Sequence, residues 1–251
     1  MHDVSAGMDP AESNSSSPEP WVVSVAPWWH TALLVLLLGG GSLLNTRQAQ
    51  HAGLDAHHVQ RYLSGIVAEG VLFLLTWWGL RMRRVSIAEV LGFRRGWRAL
   101  GEDLAAAAVF WIASLMVLAC IGVVLQRLHF GTPQKTLAAL APSSAGEMLL
   151  WIALSVSAGF CEEFVFRGYF LRQLSSPLHR LWLGFIGSSL IFGLAHAYEG
   201  ASGMIAITAF GALFCGLAIL RRSLRPGMIA HAWHDIFSGA MLALAHHFHV
   251  L

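Results

Sequence analysis

Two adjacent glutamates and an arginine lie inside a stretch that is otherwise hydrophobic enough to face lipid. The stretch spans residues 159–170, and its charged members are Glu162, Glu163 and Arg167. A charge at mid-bilayer costs about 2.5–3.5 kcal/mol on insertion scales, and ionisable residues within the membrane usually mark functional sites. These side chains are therefore the first candidates for chemistry. The alternative is that all three only hold a helix bundle together.

Helical spacing separates the roles of the two glutamates. Neighbouring residues of a helix point about 100° apart, whereas residues four apart share a face. Glu163 and Arg167 are therefore predicted to form an internal ion pair that holds the helix in place. Glu162 has Phe166 at the corresponding position and gains no partner from its own helix. It is predicted to be the working carboxylate.

Two later hydrophobic segments carry the other candidates. One ends at His196, four residues after Phe192, and the other opens with His231, which shares a helix face with Asp235. A lone histidine near a helix end is more often a packed or interfacial residue than a catalytic one. The rise of a helix nevertheless places Glu162, both histidines and Asp235 at depths of about 9 to about 22 Å. With ordinary tilts, one water-filled cavity can collect all four side chains.

The composition is that of an integral membrane protein. Hydrophobic residues make up 56% of the 251 residues and charged residues 12%, whereas soluble proteins carry about 25% charged residues. The net charge of +2 is too small to indicate nucleic acid as a partner. The three cysteines, Cys120, Cys161 and Cys215, all lie in hydrophobic runs, so a disulfide framework is not expected.

The predicted fold class is all-α, a polytopic bundle of about seven transmembrane helices. The predicted spans are residues 28–44, 59–80, 102–125, 146–174, 180–196, a sixth ending near 221, and 228–245. We predict three parts of the chain: a disordered acidic tail at 1–26, N-terminal transmembrane helices at 27–130 and a catalytic transmembrane core at 131–251.

The basic residues predict how the chain is oriented. With seven spans, the second-to-third, fourth-to-fifth and sixth-to-seventh connections share a side with the N-terminus. These connections hold most of the 16 Lys and Arg residues, and the positive-inside rule places them in the cytoplasm. The N-terminus is therefore expected inside and the C-terminus outside a plasma or inner membrane.

Three motifs occur in order, each in its own hydrophobic segment. They are Glu162-Glu163-x-x-x-Arg167, Phe192-x-x-x-His196 and His231-x-x-x-Asp235. Together they resemble the motifs of the CPBP intramembrane proteases, also called the Abi or CAAX-protease-like family, which includes the type II CAAX prenyl endopeptidases. The resemblance covers about residues 145–240. It implies an intramembrane endopeptidase whose partners are the lipid bilayer and a membrane-anchored or lipidated protein or peptide substrate.

The resemblance also implies roles for the motif residues. Glu162 looks like the general base that, with His196, activates a water molecule. His231 and residue 235 look like the groups that stabilise the oxyanion. Position 235 is Asp where the family frequently has Asn, and an ionised Asp only accepts hydrogen bonds. Asp235 could instead orient His231.

Zinc is the alternative to a metal-free mechanism. Glu162, His196 and His231 would make a three-ligand zinc set with one open position, and the family has carried a metalloprotease label for that reason. However, the sequence has no His-Glu-x-x-His run, and each candidate ligand comes from a different helix. A mechanism without a cofactor is therefore favoured.

Two other classes of function remain as alternatives. A non-catalytic member of the same fold could act as a bacteriocin-immunity factor or a modulator of membrane signalling. A transporter or channel could use the buried charges as an ion path, but the sequence shows neither repeats nor paired broken helices, which transporters usually have.

Overall fold

The computed structural model describes residues 21–51, 58–130 and 141–248, and all regular structure in these ranges is helical. The helices are α1 (Trp28–His51), α2 (His58–Met82), α3 (Ile87–Leu91), α4 (Trp97–Arg127), α5 (Ala145–Ser175), α6 (Leu181–Ala195), α7 (Gly200–Arg221) and α8 (Arg225–His247). A short 3-10 turn, Ala197–Glu199, joins α6 to α7. The predicted all-α class is confirmed.

Five segments within the described ranges are long and apolar enough to cross a bilayer. They are α1 up to Arg47, α2, α4, α5 and the segment Ala197–Arg221 that contains α7. The apolar helix α6 is shorter, and α8 carries the polar residues of the third motif. A helix coincides with each of the seven predicted spans, although α4 begins at Trp97 rather than at residue 102.

Local sequence fixes where the site-bearing helix α5 begins. Ser144 precedes its first turn, and the Ser144 hydroxyl accepts a hydrogen bond of 3.2 Å from the backbone N–H of Glu147. Ser86 caps α3 in the same way through Glu89. Both sites have the Ser-x-x-Glu pattern of a capping box. The start of α5 is therefore set by its own residues.

The centre of α5 is a wider helix than the sequence predicted. The residues Glu163–Phe170 form a π-helix between two α-helical parts, and the N–H of Leu171 bonds to the carbonyl of Phe166, five residues earlier. All eight residues of this π-helical segment are buried. Regular 3.6-residue periodicity does not anticipate such a segment, and π-turns are frequent at functional sites.

A glycine allows α5 and α8 to approach closely beside this segment. A Cβ atom at Gly159 would lie 2.8 Å from the carbonyl oxygen of Met228 and 2.9 Å from the backbone nitrogen of Ala232. Only glycine leaves room for this contact. The approach brings the turn of α8 that carries His231 directly against α5.

The three basic connections lie on one face of the bundle. The N–H of Leu224, between α7 and α8, donates a hydrogen bond of 2.9 Å to the carbonyl of Leu91 at the end of α3. The guanidinium of Arg172, near the end of α5, donates to the carbonyl of Glu89 at 3.1 Å. The connections that were predicted to share a side of the membrane are therefore neighbours in space.

The predicted N-terminal tail differs from the structure at its last residues. Residues 1–20 lie outside the described residues, as do residues 131–140 at the start of the predicted catalytic core. Trp21, Val25 and Ala26 are buried in the core. The Gln173 side-chain oxygen accepts hydrogen bonds from the N–H groups of Val25 and Ala26 at 2.8 and 3.0 Å. The composition alone placed residues 21–26 in the tail. Their contact with Gln173 could not be anticipated, because that residue is distant in the sequence.

Candidate active site

The structure brings the first and second motifs and the histidine of the third together. Glu162 lies on α5, His196 directly follows α6, and His231 lies on α8. The Glu162 Oε1 atom is 3.8 Å from His196 Nε2, and Glu162 Oε2 is 3.6 Å from His231 Nε2. Both distances are too long for direct hydrogen bonds. The carboxylate therefore lies between two imidazole rings that each present Nε2 to it.

The Phe192-x-x-x-His196 spacing sets the orientation of the His196 ring. His196 Nδ1 is 2.9 Å from the backbone carbonyl of Phe192, one turn earlier on α6. A carbonyl only accepts hydrogen bonds, so Nδ1 carries the proton and Nε2 of the neutral ring keeps a lone pair. That lone pair faces Glu162. His196 is therefore part of the charged cluster and not a histidine that only packs at a helix end.

The predicted ion pair is present and also holds the second histidine. Arg167 Nη1 is 3.0 Å from Glu163 Oε1, and His231 Nδ1 is 3.0 Å from the same oxygen. Glu163 and Arg167 are almost completely buried, with 1% and 0% of their side chains exposed. The two adjacent glutamates thus approach opposite nitrogens of one imidazole ring, Glu163 at Nδ1 and Glu162 at Nε2.

Asp235 does not occupy the orienting position that we considered for it. Its Oδ2 atom is 3.7 Å from His231 Nε2, beyond hydrogen-bond range, while Glu163 holds Nδ1. Helix spacing predicted the contact correctly, but it could not show which ring nitrogen faces which carboxylate. The Asp235 backbone carbonyl accepts a hydrogen bond of 2.8 Å from the Trp151 indole, which ties this turn of α8 to α5.

The charge of Arg167 is stabilised by groups from two further helices. Its Nη2 donates a hydrogen bond of 3.1 Å to the carbonyl of Gly211 on α7. Its guanidinium carbon lies 4.5 Å from the ring centre of Phe192 on α6 and 5.1 Å from that of Phe214 on α7. Aromatic faces attract a buried cation. Arg167 therefore anchors the glutamate segment to α6 and α7.

The sequence analysis missed one acidic residue of this cluster. Glu69 lies on α2, and its carboxyl group is within hydrogen-bond reach of the Glu162 carboxyl group. The Glu69 Oε2 atom is buried and has no hydrogen-bond partner among the residues that the structure describes. The available signal was a single acid in the middle of an otherwise apolar span, which usually marks a functional position.

The candidate zinc ligands can be compared with the geometry that zinc requires. Four-coordinate zinc with bonds of 2.0–2.2 Å keeps its donor atoms about 3.3–3.5 Å apart. The Glu162 oxygens lie 3.8 Å from His196 Nε2 and 3.6 Å from His231 Nε2. Within the described ranges, no three His, Cys, Asp or Glu side chains are grouped closely enough to hold a metal ion. The donor atoms as placed are therefore slightly farther apart than in a four-coordinate zinc site.

Comparison with known proteins finds a family that is similar to part of the chain. Residues 144–237 match the model of the family described as type II CAAX prenyl endopeptidase Rce1-like. No curated protein and no solved structure matches the chain. The matched range contains all three motifs and every gathered side chain except Glu69. The resemblance inferred from these motifs is thus confirmed: residues 144–237 are similar to the type II CAAX prenyl endopeptidase family, which indicates a peptidase, and the long apolar helices are those of a multi-pass membrane protein.

Proposed function

We propose that the protein is an intramembrane endopeptidase that cleaves a membrane-anchored or lipidated protein or peptide, with Glu162 as the base that activates water. One observation carries this proposal: the Glu162 carboxylate lies between His196 Nε2 and His231 Nε2, at 3.8 and 3.6 Å. Its Oε2 atom is buried and has no hydrogen-bond partner in the described part of the chain. The carboxylate therefore faces both imidazole rings and is hydrogen-bonded to neither.

Glu162 and His196 would bind the attacking water together. A water molecule between Glu162 Oε1 and His196 Nε2 can donate one O–H to the carboxylate and the other to the ring lone pair. Glu162 takes the first proton as the water oxygen attacks the carbonyl carbon, and it returns that proton to the leaving amine when the C–N bond breaks. The water is consumed and Glu162 regains its starting charge.

His231 would stabilise the oxyanion of the tetrahedral intermediate. The carboxylates of Glu163, Glu162 and Asp235 lie 3.0 to 3.7 Å from its ring nitrogens. Negative groups this close favour the protonated ring. Its Nε2–H can then donate to the developing oxyanion. In this scheme Asp235 needs no donor of its own, because its charge supports the imidazolium.

Membrane proteomics tests the proposed function directly. Cells that produce the wild-type protein are compared with cells that produce Glu162→Gln at the same membrane level. We expect a membrane-anchored precursor to accumulate with the variant, because it cannot activate water. Identical membrane proteomes, together with an unchanged cellular phenotype, would contradict a peptidase role and favour the non-catalytic alternative.

We further propose that hydrolysis needs no metal ion, since the sequence has no His-Glu-x-x-His run and each candidate zinc ligand comes from a different helix. Purified protein treated with a strong chelator is expected to keep its peptidase activity, because the base and the oxyanion donor are both side chains. Metal analysis of the same sample checks that the treatment was complete. Loss of activity that is restored by added zinc would overturn this part of the mechanism.

The basic connections also support a proposed orientation. They lie together on one face of the bundle, and the positive-inside rule assigns this face to the cytoplasm. A reporter that is active only outside the cytoplasm should therefore work when it is fused after Leu251. Activity of a cytoplasm-only reporter at the same position would reverse the orientation.

A further inference from the structure

The register between α2 and α5 directs Glu69 toward the catalytic glutamate. The rings of Tyr62 and Trp151 lie 5.5 Å apart, and further along the two helices Phe73 lies 4.8 Å from Phe164. Both pairs progress in the same direction, so the helices run parallel. Glu69 lies four residues before Phe73 and therefore on the same face of α2. That face meets α5 beside Glu162.

Gly65 confirms the closeness of this contact. A Cβ atom at Gly65, one turn before Glu69, would lie 3.0 Å from the Leu154 side chain. One turn later the Glu69 and Glu162 carboxyl groups are within hydrogen-bond reach. The Oε2 atom of each group is buried and has no hydrogen-bond partner among the described residues. A hydrogen bond between the two carboxyl groups would therefore satisfy both of them.

Two carboxyl groups in contact cannot both be ionised at low cost. Like charges at this distance repel, and pairs of buried carboxyl groups share a proton. Asp235 on α8 adds a further carboxyl group here, since its Oδ2 atom and Glu162 Oε2 lie 3.7 and 3.6 Å from the same nitrogen, His231 Nε2. The fully buried guanidinium of Arg167 is bound to Glu163 instead. Since Glu162 must be ionised to act as a base, the shared proton lies on Glu69.

We propose that Glu69 is a positioning residue of the active site, whose protonated carboxyl group donates a hydrogen bond to Glu162 and holds that carboxylate between His196 and His231. The inference rests on the proposed function of Glu162 as the base. It adds α2, which lies outside the residues matched by the family model, to the catalytic apparatus. Glu69 acts through Glu162 and needs no contact with the substrate.

Three substitutions at Glu69 test this role on purified full-length protein in liposomes. The probe is a fluorogenic peptide with a farnesylated CAAX end. Glu69→Leu removes the donor, and we expect kcat to fall about 100-fold, the effect of a misplaced catalytic group. The KM should stay unchanged. Glu69→Gln keeps an N–H donor at the same reach and should restore kcat to within about tenfold of the wild-type value.

Glu69→Asp keeps the acid but shortens its reach by one methylene group, so it should behave like Glu69→Leu. If the Glu69→Leu protein does not accumulate, the kcat of Glu69→Asp still tests the positioning role. Thr76→Val is the matched control, because Thr76 is a buried polar residue on α2 whose hydroxyl has no hydrogen-bond partner in the described ranges. Its kcat should equal that of the wild type.

Two results would overturn the inference. One is wild-type kcat in both Glu69→Leu and Glu69→Asp, and the other is a kcat for Glu69→Gln as low as for Glu69→Leu. Melting temperatures measured in parallel separate a positioning role from a structural one, which would lower stability and leave the kcat of the folded fraction intact. If Glu162→Gln keeps its activity, the proposed function itself fails. If Glu162→Gln is inactive while Glu69→Leu is normal, only the role of Glu69 fails.

Discussion

Glu162→Gln is expected to lower kcat by about 10²–10⁴-fold, the range of a lost general base. The amide has nearly the same shape as the carboxylate but cannot take a proton from water. KM should change little, because the substitution leaves the walls of the site in place. Cleavage of the farnesylated probe by purified protein in liposomes measures both constants. His196→Ala should also abolish cleavage, since it removes the second group that holds the water.

Glu102→Gln is the matched control for this substitution. Glu102 lies near the start of α4, where it pairs with Arg94 and Arg98 at the surface. Surface pairs of this kind contribute little to stability, so both activity and melting temperature should stay at the wild-type level. Wild-type turnover by folded Glu162→Gln would remove the basis of the hydrolytic mechanism.

Arg167→Met is expected to cost about 3–5 kcal/mol of stability, because it leaves Glu163 as a buried charge without its partner. Activity should fall as well, since Glu163 also holds His231 Nδ1 at 3.0 Å. Unfolding in a denaturing detergent, followed by circular dichroism, measures the change. Arg98→Met is the control, because this arginine is 94% exposed and its pairing with Glu102 lies at the surface.

A double substitution separates charge from shape at this pair. When Glu163→Gln is combined with Arg167→Met, the buried charge is removed together with its partner, so most of the lost stability should return. The amide oxygen introduced by Glu163→Gln can still accept a hydrogen bond from His231 Nδ1, but it carries no charge to support an imidazolium. Activity should therefore recover only in part. An Arg167→Met protein as stable as the wild type would show that this ion pair does not hold the segment in place.

Hydrophobicity and helical spacing made the fold predictable. Each predicted span coincides with a helix, because a membrane helix needs a long apolar run and such runs are visible in the sequence. The ion pair between Glu163 and Arg167 was predictable for a similar reason: residues four apart on one helix meet whatever the rest of the chain does. The three motifs also predicted which helices meet at the site: α5, α6 and α8.

The tertiary structure decided how these segments meet. The sequence could not show that Glu163, and not Asp235, holds His231 Nδ1, because that depends on the π-helical turn of α5 and on the approach of α8 at Gly159. It also gave no partner for Glu69, whose contact with Glu162 joins residues 69 and 162 across two helices. Contacts within one helix follow from its period. Contacts between helices depend on register and rotation, which are set only when the side chains of the whole bundle pack.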